Sequence, residues 1–147
     1  MYEESIRIPL IVRDPRQGSG GRGRRVEQMA LNIDLAPTML DLAGVPIPGG
    51  MQGKSLAPLV AGGKVRFRED WYYEHFYEHR NNIRPCEGVR SAKWKYTRYP
   101  KEEPVFEQLF DLSKDPYELE DLARDPRHAG TLGRLRERCE AYRRELR

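Results

Sequence analysis

Cysteine is scarce in this chain. Its 147 residues include two, Cys86 and Cys139. Two thiols could form at most one disulfide, spacing alone cannot assign it, and neither has the spacing of a zinc-ligand pair. Long apolar runs are missing as well. Nothing approaches the ~20 consecutive apolar residues of a membrane-spanning helix, so no membrane role is expected. The start, Met1-Tyr2-Glu3-Glu4, has neither a basic n-region nor an apolar h-region, so no signal peptide is expected in this chain. The compartment stays open, and a longer parent could be periplasmic or secreted. Charge of one sign is not concentrated either: the net charge of +3 is spread along the sequence. The densest basic run, Arg22-Gly23-Arg24-Arg25, sits among glycines and reads as a solvated loop rather than a polyanion contact. No aromatic residue interleaves it, which argues against nucleic acid as a partner. The glycine-rich stretch 17–23 lacks the lysine and following helix of a phosphate-binding loop.

What is present is local order. Hydrophobic residues make up 38% and charged residues 33% of the chain, a polar but foldable balance. Asn32 to Gly44 predicts a short helix. Asp34 can cap it, Pro37 fits its first turn, Leu35, Met39 and Leu42 recur at helical spacing, and Gly44 stops it. Upstream, Ile8 to Arg13 is an apolar, β-branched run between prolines and predicts a buried strand. Val26 to Ile33 is expected to return in extended form. Downstream, Ser55 is expected to cap a short helix from Leu56 to Val60, ended by Gly62-Gly63. From Phe67 the pattern becomes strand-like and aromatic: Trp71 to Tyr77, Gly88 to Ala92, Lys93 to Tyr99 and Phe106 to Leu112. Such short runs in succession predict an antiparallel meander with one wet face. Leu132, Leu135, Cys139, Tyr142 and Leu146 then form the apolar stripe of a closing helix.

The expected fold is therefore α+β. It comprises an antiparallel sheet of about four strands with a long C-terminal helix across it, preceded by a strand-helix edge piece of a larger α/β domain. The division is placed near Gly62, giving residues 1–62 and 63–147. The first part has too little apolar material to bury a core alone.

Four motifs in order carry a resemblance. They are Tyr2-Glu3-Glu4-Ser5-Ile6-Arg7-Ile8-Pro9-Leu10-Ile11-Val12-Arg13, the helix Asp34 to Gly44, the turn Met51-Gln52-Gly53-Lys54-Ser55-Leu56, and the tail Leu109 to Ala123 with Asp115-Pro116-Tyr117-Glu118. This order resembles the last third of the sulfatases of the alkaline-phosphatase-like superfamily. The resemblance implies a parent that hydrolyses sulfate esters or sulfamates, on carbohydrate, with a formylglycine nucleophile and a calcium ion. It also implies that both groups belong to a missing N-terminal catalytic part, so this chain has no catalytic residue, metal ligand or cofactor of its own. Cys86-Glu87-Gly88-Val89-Arg90 imitates the C/S-x-P/A-x-R formylglycine motif, but Gly88 replaces Pro or Ala and the family's motif lies far upstream. Asp14, Asp34 and Asp41 read as loop edge, cap and helix rather than a metal pair.

What the resemblance leaves to this chain is the substrate rim, at His75, His79, Arg84 and Arg90. Arginine offers a planar fork to sulfate or carboxylate. Each has a plainer reading: a packed histidine beside Trp71 and Tyr73, a strand-end histidine, and two surface ion pairs. The partners implied are the catalytic part, a sulfated carbohydrate, and a second copy paired through the strand edge Ile8 to Arg13. The alternative is a non-catalytic binding module for anionic glycans.

Overall fold

The computed structural model describes residues 2–17, 23–77 and 84–146. In chain order it contains α1 (Glu3–Ile6), a 3₁₀ turn (Asn32–Asp34), α2 (Leu35–Leu42), α3 (Ala57–Val60), β1 (Asp70–His75), β2 (Cys86–Ser91), β3 (Trp94–Tyr99), β4 (Phe106–Asp111), a 3₁₀ turn (Pro126–His128) and α4 (Ala129–Leu146). Two compact units are present. Met1–Ile8 joins Glu69–Arg147, and Pro9–Arg68 stands as the other. One break falls at Arg68, and the first eight residues go with the sheet.

In the sheet unit the four strands form one antiparallel sheet in the order β1-β2-β3-β4. Strand alternation sends Tyr72, Val89, Trp94, Tyr96 and Leu109 to one face, where α4 covers them. Leu132 and Cys139 of the predicted stripe are buried there, with Leu135 and Tyr142 packed alongside. Leu146 is exposed, so the stripe closes one turn early. Pro126 sits at the start of the turn before α4, and Asp125 accepts the Arg127 N–H, satisfying a backbone donor that the helix start leaves unpaired.

The other face is not wet. Tyr73, Cys86, Lys95, Thr97 and Phe110 are all buried on it. Part of its cover is the N-terminal turn: the Tyr2 ring lies 6.3 Å from Phe110, and Glu3 reaches Arg90 and Lys95. Gly88 is required here, because a Cβ at this position would run into the Tyr96 carbonyl oxygen and the Tyr73 ring.

The unit Pro9–Arg68 is built on Asp34. Its carboxylate does not cap α2 as the sequence suggested. It is wholly buried and accepts the N–H groups of Leu31 (2.7 Å) and Lys54 (2.8 Å) and a bidentate bond from Arg68, with Nη2 at 2.7 Å. A buried carboxylate needs a cation more than α2 needs a cap. The Thr38 hydroxyl links Asp34 O to the Leu56 N–H, and Ser55 Oγ accepts the Ala57 N–H at the start of α3. Gly44, at φ 69°, ends α2 as its sequence position demands.

Ile8 to Arg13 corrects the sequence reading. The run is neither strand nor buried: Ile8, Leu10, Ile11 and Val12 are exposed, Ile11 by 92%. A strand exists only with a hydrogen-bonded neighbour, and the one sheet among the described residues is the meander. Residues 24–31 likewise run without regular structure.

Candidate functional site

Register decides which candidate rim residues meet. His75 ends β1 and faces Cys86 at the start of β2. Arg84 precedes Cys86 by two residues, so the two candidates flank the same end of the β1–β2 pair. Arg84 Nη1 lies 3.2 Å from Glu102 Oε1, and both side chains are exposed. His75 is half-buried on the face shared with Trp71 and Tyr73, and its Nε2 has no hydrogen-bond partner among the described residues. His79 falls outside the described residues.

Arg90 sits apart. It stands four residues along β2 from Cys86, about 13 Å at the rise of an antiparallel strand. Its register partners are Trp71 and Lys95. The guanidinium meets Glu3, with Nη2 3.1 Å from Oε2, and Nη1 donates to Ser91 O at 3.0 Å. The structure therefore gathers His75 and Arg84 at one end and holds Arg90 in an ion pair at the other.

That pair belongs to a charge cluster that sequence reasoning missed. Lys95 is fully buried, with Nζ 2.6 Å from Glu118 Oε1 and 3.9 Å from Glu3 Oε1. Glu118 Oε2 accepts the Glu3 N–H at 2.5 Å. Burial lowers the Lys95 ammonium below its usual value, and the two carboxylates only partly offset this. Glu118 holds a left-handed φ of 57°, which turns its side chain inward between the exposed Tyr117 and Leu119. The sequence signal was weak, because Glu3 and Glu118 are 115 residues apart. The arrangement clamps the N-terminal turn to the sheet by both its backbone and its side chain.

A second cluster lies under α4. Glu87, buried, accepts from the Tyr72 hydroxyl at 2.7 Å and faces Arg98 (3.4 Å) and Arg143 (3.3 Å). Burial and the Glu87 carboxylate both push the Tyr72 phenol far above its ordinary value, so it stays protonated as a donor. Asp70 takes Arg138 and the Tyr142 hydroxyl at 2.7 Å. These contacts tie sheet to helix.

Among the described residues no three His, Cys, Asp or Glu side chains converge as metal ligands. Cys86 is wholly buried within β2 and Arg90 is engaged by Glu3. The residues present fit neither a formylglycine nor a calcium centre.

Residues 1–145 match the model of the family described as N-sulphoglucosamine sulphohydrolase, C-terminal. The chain belongs to this family. It is 35% identical over 130 residues to arylsulfatase K of Xenopus laevis, covering 84% of this chain and 24% of that protein. To the delta 4,5-hexuronate-2-O-sulfatase of Bacteroides thetaiotaomicron it is 32% identical over 148 residues, covering 96% of this chain and 29% of that protein. Its fold is similar to the crystal structure of the phosphonate monoester hydrolase of Agrobacterium radiobacter, with a TM-score of 0.71 at 25% identity, covering 86% of this chain and 27% of that one. The chain thus spans about a quarter of the length of these sulfatase relatives.

Proposed function

We propose that this chain is the C-terminal part of a sulfatase that hydrolyses sulfate esters on carbohydrate, and that it shapes part of the substrate rim. The observation that carries the reading is the family match over residues 1–145, combined with coverage of about a quarter of the sulfatase relatives. The nucleophile and the calcium site then lie in the N-terminal catalytic part, formylglycine supplying the attacking oxygen and calcium neutralising the sulfate. The exposed apolar run Ile8–Arg13 is the complementary observation: Leu10, Ile11 and Val12 form a strand once a neighbouring sheet supplies partners. In this reading the catalytic part fills that role. A second copy of the chain paired through the same edge is the competing occupant. Residues 1–62 are then the edge of the catalytic α/β domain, and residues 63–147 the C-terminal subdomain.

At the rim, His75 and Arg84, at the two ends of the connection between β1 and β2, contact the anionic sugar together with His79, which falls between them in sequence. Arg90 acts from further back by holding Glu3. The test compares this chain with the full-length enzyme on p-nitrocatechol sulfate and on a sulfated monosaccharide. The full-length enzyme turns over and the 147-residue chain does not. Turnover by the chain alone refutes the reading, as does a full-length enzyme that cleaves only phosphonate esters. In the full-length enzyme, His75→Ala and Arg84→Ala should raise KM for the sulfated sugar about tenfold, with kcat little changed. Unchanged KM in both removes them from the rim.

A further inference from the structure

The net charge of +3 conceals two unlike units. Residues 9–68 hold nine Arg and Lys against four Asp and Glu, while the remaining residues hold seventeen against nineteen. Within the basic unit, Asp14 is spent on Arg16 and Asp34 on Arg68. The unit's other two acids are Glu27 and Asp41, and the Asp41 carboxylate already accepts from Ser55 Oγ.

Folding gathers several of these cations. Arg24 Nη2 donates to Leu59 O (2.5 Å) and Val60 O (2.6 Å), capping the carbonyl end of α3. Five residues on, Met29 O accepts from Arg68 Nη1 at 2.8 Å. These two anchors hold 24–29 alongside 59–68. Arg24, Arg25, Lys64 and Arg66 are all exposed on this strip, and Glu27 is the only acid in either span. Arg24 and Arg25, from the run that looked like a solvated loop, thus form one side of a two-sided basic strip. The one aromatic residue of the two spans, Phe67, carries the Arg68 guanidinium over its ring at 4.8 Å, so one face of the ring is already taken.

We propose that this strip is a binding surface for sulfated polysaccharide, engaging several successive sulfate or carboxylate groups of one chain. The assignment to glycan rests on the carbohydrate-sulfatase reading above, and the strip itself on the geometry. Exposed cations facing a polyanion act through charge neutralisation and counterion release, so the contact is strongly salt-dependent and indifferent to saccharide sequence.

The experiment is a titration of this chain with a heparin octasaccharide by calorimetry or fluorescence anisotropy, at about 50 and about 200 mM NaCl. Binding is expected at the lower salt and at least tenfold weaker at the higher. Arg25→Glu/Lys64→Glu should weaken low-salt binding at least tenfold and flatten the log–log salt slope by about two, one per lost contact. Arg25→Gln/Lys64→Gln should give an intermediate loss, which guards against a misfolded charge reversal. Arg134→Glu/Arg144→Glu, exposed on α4 in the other unit, should change affinity less than about twofold. Three results overturn the proposal: no binding at low salt, equal binding by the charge-reversed pair, or equal binding of a single-stranded oligonucleotide of matched charge. Binding here with no sulfate-ester turnover by the full-length enzyme would remove the catalytic reading and leave this surface standing. Turnover without binding would remove only the surface.

Discussion

Replacing Lys95 with methionine probes the charge cluster on the covered face of the sheet. Methionine keeps much of the side-chain length and removes the ammonium, leaving Glu3 and Glu118 buried with Arg90 as the remaining cation. Lys95 is 0% exposed, so water cannot replace the lost partner. Removing one member of a buried ion pair costs about 3–5 kcal/mol, mostly because the other charge stays desolvated. Small domains hold only about 5–15 kcal/mol in total, so the loss is a large fraction. At a urea slope of about 2 kcal/mol per molar, the midpoint should fall by about 2 M. The assay is equilibrium urea unfolding read by tryptophan fluorescence, since Trp71 and Trp94 both lie in this sheet. Adding Glu118→Gln should restore about 1–2 kcal/mol by neutralising the orphaned carboxylate while keeping an acceptor for the Glu3 N–H. A midpoint shift below about 0.3 M for Lys95→Met, or strict additivity in the double variant, would refute the reasoning.

Other outcomes follow from the same geometry. Burial pushes the Asp34 carboxyl up, but the Arg68 guanidinium and the Lys54 and Leu31 N–H groups outweigh it and hold its pKa below the usual 3.8. A lowered carboxylate contributes stability that is complete above 3.8 and disappears as pH falls through the folded value. The hydrogen-exchange protection factors of the Lys54 and Leu31 amides should therefore fall only below that pH, and Asp34→Asn, which strands buried Arg68, should lower them at neutral pH too. Gly88→Ala should cost about 1–3 kcal/mol in urea unfolding, because β2 and β3 must part to admit the methyl against the Tyr96 carbonyl. Cys86 and Cys139 are both buried, not joined by a disulfide, and burial pushes the Cys139 thiol up to about 12. Neither should react with an aromatic disulfide reagent near neutral pH until denaturant is added, and fast labelling of the native chain would contradict their placement.

The local elements were legible in sequence for local reasons. Aromatic alternation from Trp71 to Tyr99 and the short turns between runs are enough for an antiparallel meander, since consecutive strands pair with their neighbours. The 3-4-3 spacing from Leu132 to Tyr142 is enough for α4. Ile8 to Arg13 misled because its apolar pattern is real, but no strand among the described residues pairs with it. The rim candidates show the same divide. His75 and Arg84 could be named from residue type, but only register put them at one end and Arg90 at the other.

By itself, then, the sequence determined the order of the four strands and the closing helix, the stop of α2 at Gly44, and the family through motifs read in succession. Tertiary structure alone decided the fate of the charges. It buried Lys95 with two carboxylates from opposite ends of the chain, turned Asp34 from a helix cap into the partner of Arg68, and set Arg24 on the carbonyls of Leu59 and Val60. The reason is range. Helix and strand patterns are set by neighbours within a few residues, whereas the energy of a charge depends on burial and on a counter-ion within a few ångströms, wherever in the chain that partner lies.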